Sequence, residues 1–204
     1  METLEIFGVQ FVLSVIVFAL IAKWYAAPWL AHKSKQVALG LLILPHAFRH
    51  IGLTFLTPAG VKEGIPSTFA TAAAYGDFAS GILAILALIA LRRNWPVAMA
   101  LVWVFSLVGI ADLLNALRQA EAVPYFAAVW YIPTFLVPLL LITHVMIFAR
   151  LLGGDMANCA APCSPSIRDS SGATRVSKSV CLTVSSDPLV FPTRRATTQE
   201  AESQ

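Results

Sequence analysis

Six ionisable side chains interrupt otherwise apolar stretches of this chain: His46, Arg49 and His50 in one, and Asp77, Asp112 and His144 in three others. Ionisable groups at bilayer depth are costly, usually face the interior of a helix bundle, and mark function by default. The stretch 41–56 reads LLILPHAFRHIGLTFL. Wound as an α-helix at about 100° per residue, it carries His46, Arg49 and His50 within one arc of roughly 100°. A guanidinium on that face calls for a carboxylate, with which it forms bidentate, charge-assisted hydrogen bonds. One arginine does not neutralise both Asp77 and Asp112. Either one carboxyl is protonated, or His50 is charged, or a cation is bound.

Three chemistries compete for these residues. The first is a proton relay or small-ion site in a layer formed by Arg49, His50, Asp77, Asp112 and Asn115. The second is an oxidoreductase or electron carrier, with His46 and His144 as axial ligands of a haem. The third is a metal enzyme in which His46 and His50, four residues apart, join Asp77 and Asp112 around a divalent ion. Against the metal, the stretch lacks the glutamate of an HExxH helix, and Arg49 beside the pair repels a divalent cation. The bland alternative is a buried ion-pair network that holds the helices together, each contact worth about 0.6–2 kcal/mol.

The elements that must position these residues follow from composition. The chain has 204 residues, of which 58% are hydrophobic and 12% charged, and its mean hydropathy is +0.75. That balance suits an all-α polytopic membrane bundle and not a soluble domain. A net charge of +3 is too small to argue for nucleic acid. The partners it implies are the lipid bilayer, a small polar ligand, and a second copy or another membrane subunit, since five spans are few for a complete transporter.

At about 20 residues per crossing, five apolar segments span: residues 4–21, 37–56, 69–91, 96–117 and 131–152. The first ends at an aromatic and basic anchor of Lys23, Trp24, Tyr25 and Trp29. Glu2 and Glu5 precede it and no small-residue cleavage motif follows, so it reads as an uncleaved span. Pro45 has no N–H to give to the carbonyl of Leu41, which predicts a kink beside His46. Pro133 and Pro138 predict the same in the fifth span. Gly76, Gly81 and Gly109 permit close approach of helices.

Loop charges set orientation. Lys23, Lys33 and Lys35, then Arg92 and Arg93, then Arg150, lie at one end of the spans. The other end holds only Lys62 with Glu63 and Arg118 with Glu121. The positive-inside rule places the amino terminus outside and the carboxyl terminus in the cytoplasm of a plasma or inner membrane. At about 1.5 Å per residue, Arg49, His50, Asp77, Asp112 and Asn115 share an outer layer. His46 and His144 share an inner one. From residue 153 the chain turns polar and aperiodic, the composition of a disordered cytoplasmic tail. Its Cys159, Cys163 and Cys181 read as reduced bystanders, because no second Cys or His pair follows at zinc spacing.

Overall fold

The computed structural model describes residues 2–153. The tail expected from 153 onward, with Cys159, Cys163 and Cys181, lies outside the described residues. Among these, the chain is nearly all helical and has no strand; one isolated bridge joins Val61 to Phe126. Five helices are long and apolar enough to cross a membrane: α1 (Thr3–Ala31), α2 (Lys35–Leu56), α3 (Ser67–Arg92), α4 (Ala98–Leu117) and α5 (Ala128–Leu152). The loops 32–34 and 93–97 mark one end of the bundle, and the loops 57–66 and 118–127 the other.

Local chemistry explains the turns. The hydroxyl of Ser34 accepts from the Val37 amide at 3.4 Å and starts α2, as an N-cap serine does. Asn94, at φ +52°, ends α3: the Trp95 amide donates to Ala90 (3.0 Å) and the Asn94 amide to Leu91 (3.3 Å). That pair of bonds is a Schellman cap, and asparagine tolerates the left-handed conformation it needs. At the opposite end the two loops are tied together. The Lys62 amide donates to Tyr125 at 2.8 Å, and the amides of Ala127 and Val129 both donate to Gly60 at 3.1 Å.

Three of the five helices change their winding, each next to a proline. In α1 and α5 a π-turn, Ala22–Ala26 and Ile132–Leu136, comes just before Pro28 and Pro138. The amides of Ala27 and Val137 reach back five residues, to Ala22 and Ile132. A proline ring clashes with the carbonyl four residues back, and the wider turn gives that carbonyl room. α1 therefore runs on through the anchor residues 23–29 and does not stop at Ile21. In α2 the change is the opposite. Lys35–Ile43 is α-helical, and Leu44–Leu56 is a 3₁₀-helix of 13 residues. Such runs rarely exceed three or four residues. At Pro45, where the sequence predicts a kink, the winding switches from α to the tighter 3₁₀ form.

α3 packs on the 3₁₀ half of α2 and on α4, and α5 closes the group. α1 lies to one side against α5, where Phe18 meets Phe135 at 5.1 Å and Phe7 meets Trp130 at 5.8 Å between ring centroids. Two apolar clusters fill the two ends of the bundle. One, around Leu39, Ile43, Val102, Phe105 and Ile147, lies toward the 93–97 loop. The other, around Phe55, Phe69, Leu113 and Phe126, lies toward the tied loops. The buried polar residues occupy the level between them.

Candidate functional site

The 3₁₀ winding decides which side chains of α2 enter that level. At three residues per turn, every third residue lies on one edge. His46, Arg49, Gly52 and Phe55 are the buried residues of the segment. His50 follows Arg49 by about 120° and is exposed, its Nδ1 donating to the Ala47 carbonyl at 3.0 Å. The shared face of His46, Arg49 and His50 expected from α-helical periodicity is thus corrected: the first two stay together and His50 leaves. Asn115 is also exposed.

Arg49 is 1% exposed. Its Nε donates to Oδ1 of Asp77 at 2.7 Å and its Nη1 to the Gly109 carbonyl at 3.1 Å. Its Nη2 is paired with Asp77 and with Oδ2 of Asp112. The arginine thus binds both aspartates, bridging α2, α3 and α4. Glycines make the fit possible. A Cβ on Gly52 would fall on the Asp77 carboxylate, and one on Gly76 would fall on that of Asp112. Gly52 carries no signal under α-helical periodicity, although its place three residues after Arg49 becomes one under 3₁₀ winding.

The two layers separated by depth in the sequence are contiguous. A Cβ on Gly109 would stand 2.8 Å from Nε2 of His144 and 3.2 Å from Nη1 of Arg49, so the imidazole borders the guanidinium. His46 and His144 face each other with ring centroids 4.3 Å apart and planes inclined by 59°. Phe105 packs on both, at 5.0 and 5.4 Å. His46 Nε2 lies 2.9 Å from the hydroxyl of Thr143, which donates in turn to the Leu139 and Leu140 carbonyls at 3.0 and 2.9 Å. With the hydroxyl turned to those carbonyls, it accepts from Nε2 of His46 in the tautomer that carries its proton there. Thr143 and Phe105 carry no sequence signal of such a role.

Geometry speaks against the two cofactor readings. Axial imidazoles bonded at about 2 Å to either face of a haem iron hold their centroids about 6 Å apart. At 4.3 Å the rings of His46 and His144 leave no room for a macrocycle. The divalent set of His46, His50, Asp77 and Asp112 is not assembled, because His50 lies elsewhere. Among the described residues no three His, Cys, Asp or Glu side chains are placed to hold a metal ion.

Asp77 and Asp112 line a cavity of about 60 Å³ whose other walls are mainly apolar, including Phe7, Phe55, Phe69, Phe126 and Pro133. It lies on the side of the tied loops, with Gln119 and Val123 among its walls. On the far side of the histidines, the Ile43, Phe105 and Ile147 cluster is apolar.

Fold and site together define a five-helix bundle with helices of membrane-spanning length and an Arg–Asp–Asp cluster that joins three of them. The chain belongs to the family described as a domain of unknown function, DUF8737, whose profile matches residues 6–152. The match takes in all five helices and every residue of the cluster. No curated protein and no solved structure matches the chain.

Proposed function

We propose that this is an integral membrane protein that binds a small cationic species, a proton first of all, at Asp77 and Asp112. The observation that carries this is the pairing of a single buried guanidinium with two carboxylates. Of the three ways to balance the charge, the one using His50 requires that imidazole beside the acids, and it is exposed. A proton or a bound cation remains. The engaged donors of Arg49 make it the scaffold, and the carboxylates the groups that face the cavity. About 60 Å³ of space admits a few waters or a small ion, since a water needs roughly 10–15 Å³.

Insertion in a bilayer is supported by α1, which buries none of its residues Thr3–Ile21 and exposes Val12, Leu13, Ile16 and Val17. A helix apolar all round is at home in lipid. With the amino terminus outside, by the loop charges, the cavity faces the outer side of a plasma or inner membrane. An apolar plug lies toward the cytoplasm. This is the arrangement of a one-sided binding or sensing site, or of the outward state of a translocation cycle.

The test is infrared difference spectroscopy of the protein in lipid nanodiscs during pH titration. The expected result is a protonated-carboxyl band that titrates and is lost in Asp77→Asn or Asp112→Asn, or a band that appears only when added monovalent cations are withdrawn. Two aspartates that stay ionised at every pH at which the protein is folded, with no response to cations, would overturn the proposal.

A further inference from the structure

The helices that supply the Arg–Asp–Asp cluster supply a second polar layer one turn nearer the 93–97 loop. His46 precedes Arg49 by three residues on α2, Ser80 follows Asp77 by three on α3, and Ser106 precedes Gly109 by three on α4. His144 enters from α5. All four are 0% exposed. Nδ1 of His46, both ring nitrogens of His144 and the hydroxyls of Ser80 and Ser106 have no hydrogen-bond partner among the described residues.

Buried polar atoms in proteins are nearly always satisfied, by other protein groups or by ordered water. One unpartnered atom is a local accident, whereas here four neighbouring helices each bring one side chain that has them. The ligand chemistry can be read from the groups. Hydroxyls donate and accept, and a neutral imidazole does one at each nitrogen, which matches water. An anion finds no free cation, because Arg49 is committed to Asp77, Asp112 and Gly109. A metal finds two imidazoles but no third ligand of its usual kind.

We infer that His46, Ser80, Ser106 and His144 form a second binding site, which holds ordered water. This site does not rest on the function proposed above. The charged or titratable groups around His144 are His46 and Arg49 from α2, Asp77 from α3 and Asp112 from α4. The Arg49 guanidinium stands beside Nε2 of His144 and opposes a second positive charge on that ring, so the imidazole meets water as one donor and one acceptor. The apolar cluster around Ile43 and Ile147 lies beyond.

The experiment is solid-state NMR of the full-length protein in lipid nanodiscs with ¹⁵N-labelled histidine, the rings assigned with His46→Gln and His144→Gln. Magnetisation transfer from water to the His144 nitrogens is expected, weakened several-fold in a Ser80→Ala/Ser106→Ala double variant and retained in Asp112→Asn. Both rings are expected to stay neutral over the pH range in which the protein is folded. Absence of transfer to both rings, or transfer left unchanged in the Ser80→Ala/Ser106→Ala variant, would overturn the water site.

Discussion

Gly52 of α2 lies directly against the carboxylate of Asp77, so closely that a Cβ on the glycine would occupy the place of its oxygen. The consequence is a steric prediction that separates this glycine from others in the same helix. Gly52→Ala forces Asp77 away from Arg49 and is expected to destabilise the protein by about 1–3 kcal/mol, the usual cost of overpacking. Gly40→Ala, with nothing within 4 Å of the new methyl, should be neutral or stabilising by about 0.5–1 kcal/mol. Thermal unfolding in one detergent compares the two. Equal melting temperatures would remove the close contact.

Arg49 is expected to couple to both aspartates and not to one chosen partner. Arg49→Ala leaves buried carboxylates without their partner and should cost about 3–5 kcal/mol. A double-mutant cycle on thermal stability with Asp77→Ala, and a second with Asp112→Ala, should each give a coupling well above the roughly 0.5 kcal/mol seen for independent sites. Coupling to one alone would mean that the other carboxylate is bound to something else.

The 3₁₀ winding of α2 makes opposite predictions for the two histidines that flank Arg49. His50→Ala, at an exposed position whose ring bonds only the Ala47 carbonyl, should change stability by less than about 0.5 kcal/mol. His46→Ala opens a cavity beside Phe105 and His144 and releases the Thr143 hydroxyl, so a loss of about 2–4 kcal/mol is expected. If the segment were α-helical, both would be costly. Chemical unfolding of the two variants decides.

Topology is checked by reporter fusions at residues 60, 93 and 122. Cytoplasmic activity is expected at 93 only. Activity at 60 or 122 would invert the bundle and place the cavity on the cytoplasmic side.

Truncation after Leu152 is expected to leave an extractable, monodisperse protein, since the family profile ends at residue 152 and the chain beyond is polar and aperiodic. Size-exclusion chromatography of the truncated and full chains makes the comparison. Aggregation of the shorter form alone would show that the tail packs on the bundle.

The number of helices was legible without coordinates, because about 20 apolar residues in a row leave few alternatives once length and backbone satisfaction are considered. So was a pairing of Arg49 with Asp77 or Asp112, although the choice between them was not, and the structure pairs it with both. A buried guanidinium needs an acid, and a level counted along alternating helices brings these two to it. The same counting put His46 and His144 at one level, where the structure brings the two rings together. What counting along straight α-helices missed was rotation. His50 and Asn115 sit at suitable heights but on the wrong sides, and for His50 the reason is a change from about 100° to 120° per residue after Pro45. A proline announces that a hydrogen bond is missing. It does not say whether the helix will kink, widen as at Pro28 and Pro138, or tighten as at Pro45, since neighbouring helices choose among those outcomes by what they must fit. Here the tight winding lines up His46, Arg49 and Gly52 on one edge, and Gly52, Gly76 and Gly109 leave space for the groups opposite. That complementarity between three helices is a property of their packing, and only the tertiary structure decided it.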